Sequence, residues 1–183
     1  MTQSTRLSPS AWMTAGIVAL CDHGPDALKA EPLARRLNTT KGSFYWHFAD
    51  VPAFHAALLD HWAEVAKTLL PIALEGAALP TTRLRLMGQI IAQLHAPDWP
   101  KGTDSAMRAW AQSNPRVAQA VHEVDQARLA QIGALLADLD ITNPEMARIL
   151  YGASIGMIAL PPHDANTHAA TMGSLVDLVL ALR

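Results

Sequence analysis

The stretch LNTTKGSFYWHF, residues 37–48, concentrates chemistry more than any other part of the chain. Four of the ten aromatic residues fall between positions 44 and 48. Beside them stand the hydroxyls of Thr39, Thr40 and Ser43, the charge of Lys41, the imidazole of His47 and the bare Cα of Gly42. Short neutral donors next to one cation suit the oxygens of a phosphate. A helix starting near Lys41, with Thr39 and Thr40 in its turn and cap, adds free backbone N–H groups and a partial positive charge. Gly42 costs such a helix about 1 kcal/mol relative to alanine; what it offers in return is close approach to a strand. Phe44 and Phe48, four apart, lie on the opposite face and hold it to a core together with Leu37.

Other constellations are weaker. GASIG, residues 152–156, matches the G-x-S-x-G nucleophile pattern, but that pattern needs a strand before the serine and a helix after it. Helical periodicity runs through it here, so no catalytic residue is assigned and the chain is not expected to be an enzyme. Two glycines four apart instead let a neighbouring helix come close, which makes Gly152, Ala153 and Gly156 a helix–helix contact face. HEVDQ at His122 lacks the second histidine of a zinc helix. His55 and His61 are six apart and on different helix faces. The single cysteine, Cys21, excludes an intrachain disulfide and a Cys-based metal site. No metal and no cofactor are expected. Trp62, Met87, His95, Trp99, Met107 and Trp110 are rings, thioethers and one polar anchor of the kind that line a pocket for an apolar or aromatic ligand; the same stripe also suits an ordinary core.

These residues need helices to position them, and helical spacing appears nearly everywhere. Ser8 caps a first helix with Pro9 at its first position, and Gly24-Pro25 ends it. A short helix covers residues 30–37. Asp50 caps a long one over 51–70, on which Phe54, Leu58, Trp62, Val65 and Leu69 share a face. Further helices are expected over 81–95, from a cap at Asp104 to 113, from Asn114-Pro115 to 139, from Asn143-Pro144-Glu145 to a stop at Pro161-Pro162, and over 166–182. No alternating strand pattern appears. The expectation is an all-α chain of about nine helices: a three-helix helix-turn-helix module over residues 1–50, then a helical ligand-sensing and dimerisation domain over 51–183.

LARRLNTTKGSFYWHFAD resembles the DNA-binding segment of the TetR (tetracycline repressor-like) family of bacterial transcription regulators. The pattern is a short LA..L helix followed by hydroxyl, Lys/Arg, Gly, Ser/Thr, aromatic, Tyr, any residue, His and Phe. The resemblance covers about the first 60 residues; the rest matches in architecture alone. It implies that Thr39, Thr40, Lys41, Gly42 and Ser43 form the turn and helix start that enter the major groove. Tyr45 and His47 would touch the backbone, and Trp46 bases or sugar–phosphate. Lys29 stands where a Ser or Thr often caps the second helix. Asn38 replaces a common glycine and tolerates a left-handed backbone. Val51 replaces a lysine that often binds phosphate, so that contact is weakened or passes to backbone N–H groups of the fourth helix.

The resemblance also implies a homodimer on palindromic operator DNA, with half-sites about 34–36 Å apart or a multiple-turn equivalent, and a small-molecule effector. Ile149, Gly152, Ala153, Gly156, Leu175, Val176 and Val179 on the last two helices would form the dimer bundle. The expected function is a ligand-responsive transcriptional regulator, a repressor in most of the family. The alternative is an all-α small-molecule binding protein that has lost operator binding. Net charge is −2 over 183 residues, with a calculated pI near 6.4, so any basic surface is local. The first fifty residues carry five Lys/Arg against four Asp/Glu. The N-terminus lacks a signal-peptide core and no apolar run is long enough to span a bilayer of about 30 Å; a cytoplasmic protein without membrane contact is expected.

Overall fold

The computed structural model describes residues 7–91, 94–160 and 165–181. Among them are nine α-helices and no strand: α1 Pro9–His23, α2 Ala30–Arg36, α3 Lys41–Tyr45, α4 Val51–Ala73, α5 Pro80–Ile90, α6 Thr103–Ala111, α7 Pro115–Ala137, α8 Met146–Ala159 and α9 Ala165–Ala181. The chain divides into two compact units. One comprises Met1–Val65 with His95–Val121, the other Ala66–Leu94 with His122–Arg183.

In the first unit, the Ser8 side chain accepts from the Ala11 amide at 3.2 Å, and Gly24 closes α1 at φ 75. Gly16 lets α1 lie close to α4: a Cβ there would sit 2.7 Å from the Phe54 ring. Trp12, Ile17, Leu33, Phe44, Phe54 and Leu58 are fully buried. The second unit is built round Leu70, Leu84, Met87, Ile132, Leu150 and Val176. Gly88 of α5 meets α9 so closely that a Cβ would fall 2.6 Å from Val176 Cγ2.

Four helix boundaries differ clearly from the sequence expectation, and the first is α5, which ends at Ile90 rather than near residue 95. α4 continues through Pro71 to Ala73. Proline has no N–H for the carbonyl four residues back, Lys67. That carbonyl instead accepts from Gln131 Nε2 at 2.8 Å, so the helix continues without a stranded acceptor. Asp104 is not the cap of α6: the cap position is Gly102, and the buried Thr103 hydroxyl turns back to the Pro100 carbonyl at 2.7 Å. α8 begins at Met146 rather than at Asn143, because the Asn143 side chain first bonds the Glu145 amide at 2.9 Å in a turn ahead of the helix. The proposed stop at Pro161-Pro162 and the last position, Leu182, lie outside the described residues.

Candidate nucleic-acid interface

The site starts from the way α2 ends. Asn38 is left-handed, at φ 50. The Thr39 amide donates to the Ala34 carbonyl at 2.9 Å and the Asn38 amide to Arg35 at 3.1 Å. This paired closure usually takes glycine; asparagine serves because its short polar side chain tolerates that conformation. The turn delivers Thr40 to the start of α3, where its hydroxyl accepts from the Ser43 amide at 3.3 Å.

α3 is little more than one turn, so packing must hold it. Phe44 supplies the anchor. It is 0% exposed and its ring lies 5.4 Å from Trp12, 5.2 Å from Phe48 and 5.3 Å from Phe54. Burying such a ring stabilises by roughly 1.5–3 kcal/mol, before edge-to-face terms of about 0.5–1.5 kcal/mol per pair. With Phe44 inward, the rest of the turn faces out. Thr40, Lys41 and Gly42 are exposed, and Ser43 and His47 are half-buried. Tyr45 is 46% exposed and Trp46 85%. Around the position of a Gly42 Cβ the nearest atom is Thr40 Oγ1, at 3.7 Å, so nothing of the protein crowds that face. Ser43, Trp46 and His47 share a hollow of about 360 Å³ with Leu7, a residue the motif did not single out.

The charges are arranged less generously. Lys29 caps α2 without a side-chain bond and sits 3.6 Å from Asp26. Arg35 pairs with Glu31 at 3.3 Å and Arg36 with Asp22 at 2.7 Å. Among the described cations of residues 7–50, Lys41 is the one without a carboxylate partner; its ammonium lies 5.9 Å from the centre of the Tyr45 ring. At the start of α4, Asp50 Oδ1 accepts from the Ala53 amide at 2.7 Å. A carboxylate therefore already occupies one of the N–H groups that was expected to take over a phosphate from the missing lysine at Val51.

The other sequence candidates scatter. Met87 is fully buried in the second unit, whereas Trp62, His95, Trp99, Met107 and Trp110 belong to the first. Of the six, Trp99 borders a cleft of about 780 Å³, whose walls include Thr14, Val18, Arg36, His61 and Asp98. His95 bonds the Ala96 carbonyl at 2.8 Å, His55 the Leu28 carbonyl at 2.9 Å, and His61 packs its ring on Trp99. Trp62, Met107 and Trp110 are core.

On the last two helices, Val176 and Val179 turn inward and Leu175 is half-buried. Ile149, Gly152 and Gly156 face outward, Ala153 is half-buried, and nothing lies within 4 Å of a Cβ at either glycine. The large apolar residue exposed on α9, among the described residues, is instead Leu178. An apolar count cannot separate Val176 from Leu178; which side of α9 meets α5 decides it. Ser154 of GASIG is buried inside α8 and donates to the Tyr151 carbonyl at 2.7 Å, which is not the setting of a strained nucleophile.

Burial pushes the Cys21 thiol up, opposed by its contact with Thr103. Burial also raises Tyr151 to about 12, against the lowering effect of Arg128. The Tyr151 hydroxyl donates to Asp125 at 2.7 Å and accepts from Arg128. No group of three metal-ligating side chains occurs among the described residues, and none of their helices is long and apolar enough to cross a membrane.

Comparison with known proteins agrees with the module. The profile of bacterial regulatory proteins, tetR family, matches residues 13–50. No curated protein matches the chain. Among solved structures, it is similar to a TetR-family transcriptional regulator from Streptomyces coelicolor, at TM-score 0.77 and 18% identity over 95% of this chain and 89% of that one. A transcriptional regulator from Rhodococcus sp. Rha1 gives 0.72 and 17%, over 96% and 95%. The fatty acid degradation regulator FadR from Bacillus halodurans gives 0.64 and 14%, over 100% and 96%. At such identities these likenesses speak for the fold. Residues 13–50 thus match the profile of bacterial regulatory proteins, tetR family, and the all-α fold around them is similar to that of solved TetR-family regulators.

Proposed function

We propose that the chain represses transcription as a homodimer on palindromic DNA and releases it on binding a small molecule, in the cytoplasm. The observation that carries the DNA part is the exposed tip at residues 40–47, held by the buried Phe44 and bare at Gly42. Thr39, Thr40, Lys41, Gly42, Ser43, Tyr45, Trp46 and His47 form its contact surface. Lys29 joins only by leaving Asp26. The second copy docks on the outward face of α8, at Ile149, Gly152, Ala153 and Gly156, and on Leu178 of α9. The effector is assigned to the cleft at Trp99, whose wall includes Thr14 and Val18 of α1. A ligand there touches the first helix of the DNA module itself. A differential affinity of about a hundredfold between two conformers shifts their balance by about 2.7 kcal/mol.

The test is a gel shift on palindromic duplexes from upstream of the protein's own gene, repeated over a range of salt. Lys41→Ala is expected to weaken binding and to lower the slope of log K against log salt by about 0.9. An unchanged slope would count against Lys41 as a phosphate contact. The ion pairs at Arg35 and Arg36 favour keeping the second reading, a ligand-binding protein without operator binding, as the outcome if no duplex is shifted.

A further inference from the structure

We infer that Trp46 reads a thymine in each half-site through its C5 methyl group. The inference rests on the DNA-binding reading above and adds to it the base that is recognised.

Trp46 is the most exposed large apolar side chain of the described residues, at 85%. It caps α3 four residues after Gly42, which places it one turn on along the same face, beside the open backbone there. The ring forms one wall of the hollow of about 360 Å³. Leu7 supplies a second apolar wall, while Ser43 and His47 bring a hydroxyl and an imidazole. Of the four bases in the major groove, thymine alone presents a methyl group, and beside it an O4 acceptor. An apolar wall next to donors complements that edge.

The rest of the tip leaves few other readers. Residues 40–47 contain no Arg, Asn, Gln, Asp or Glu, the side chains that take guanine, adenine or cytosine by paired or accepted hydrogen bonds. The lone cation, Lys41, lies over the Tyr45 ring. The neighbouring arginines are held by Glu31 and Asp22. A large share of the discrimination therefore falls to contact of an apolar surface with an apolar group, beside what Lys41, Thr40 and Ser43 read.

The experiment selects a pool of duplexes with a randomised core on the full-length protein. The winning duplex is remade with uracil for thymine, one position at a time. Uracil keeps O4 and the base pair and lacks only the methyl group. One thymine per half-site is expected to respond, with affinity falling about fourfold for one methyl group and about fifteenfold for the symmetric pair. In Trp46→Ala and Trp46→Phe, with folding checked by far-UV circular dichroism, that ratio falls towards one while other base preferences persist. A duplex on which no thymine responds overturns the inference, as does a variant that binds and keeps the full ratio. If the wild-type protein enriches no sequence at all, the DNA-binding reading fails and takes this one with it. An enriched duplex blind to the methyl group removes the thymine reading alone.

Discussion

Gly42 separates stability from function at a single position. Its φ is not in the left-handed region and its surroundings are open, so a side chain there strains neither backbone nor packing. Any residue except proline is a better helix former than glycine. Gly42→Val is therefore expected to keep the helix content and melting temperature of the parent while losing operator binding. Circular dichroism and a gel shift on the same sample check it; retained operator affinity would remove the close-approach argument. The sequence announced this position because glycine at a helix start is costly and conspicuous. Phe44 and Phe48 were equally legible, since four-residue spacing assigns them one face. The pairing of Arg35 and Arg36 with Glu31 and Asp22 was half legible. The first is a four-residue step on one helix, but the second joins α2 to α1 and needs the fold.

Among the elements, two helix starts marked by a capping side chain and proline were placed well, whereas Asn143-Pro144 opens a turn ahead of α8 instead. Ser8-Pro9 opens α1, and Asn114 Oδ1 accepts from the Arg116 and Val117 amides at the head of α7. Ends were less legible. α7 closes on Asp140 in a left-handed conformation, with Ile141 bonding back to Leu136, and an aspartate gives less warning of this than a glycine. Pro71 misled for a different reason: the partner that rescues its helix lies sixty positions away. Gln131→Leu strands the Lys67 carbonyl and is expected to destabilise by about 1–3 kcal/mol. Pro71→Ala restores the missing N–H, so in that background the same substitution should cost distinctly less. Chemical denaturation of the four proteins of this cycle measures the difference. Equal costs in both backgrounds would mean that the carbonyl was never dependent on Gln131.

For the whole molecule, the decisive question is what covers the apolar surface of the last helices. Leu178 is 63% exposed and Ile149 47%. A dimer through this surface predicts a solution mass about twice 19.7 kDa. Leu178→Asp is expected to shift it towards the monomer and to weaken binding to a palindrome more than to an isolated half-site. Sedimentation velocity checks the mass; an unaltered dimer would move the interface elsewhere. The bond between Gln131 and the Lys67 carbonyl bears on how such a machine can move. It rivets the final turns of α4 to the last third of α7. Sliding α4 along its own axis by a full turn, about 5.4 Å, would tear that rivet. A tilt that carries the two helices together leaves it whole, so any motion reaching this end of α4 must recruit α7 as a passenger.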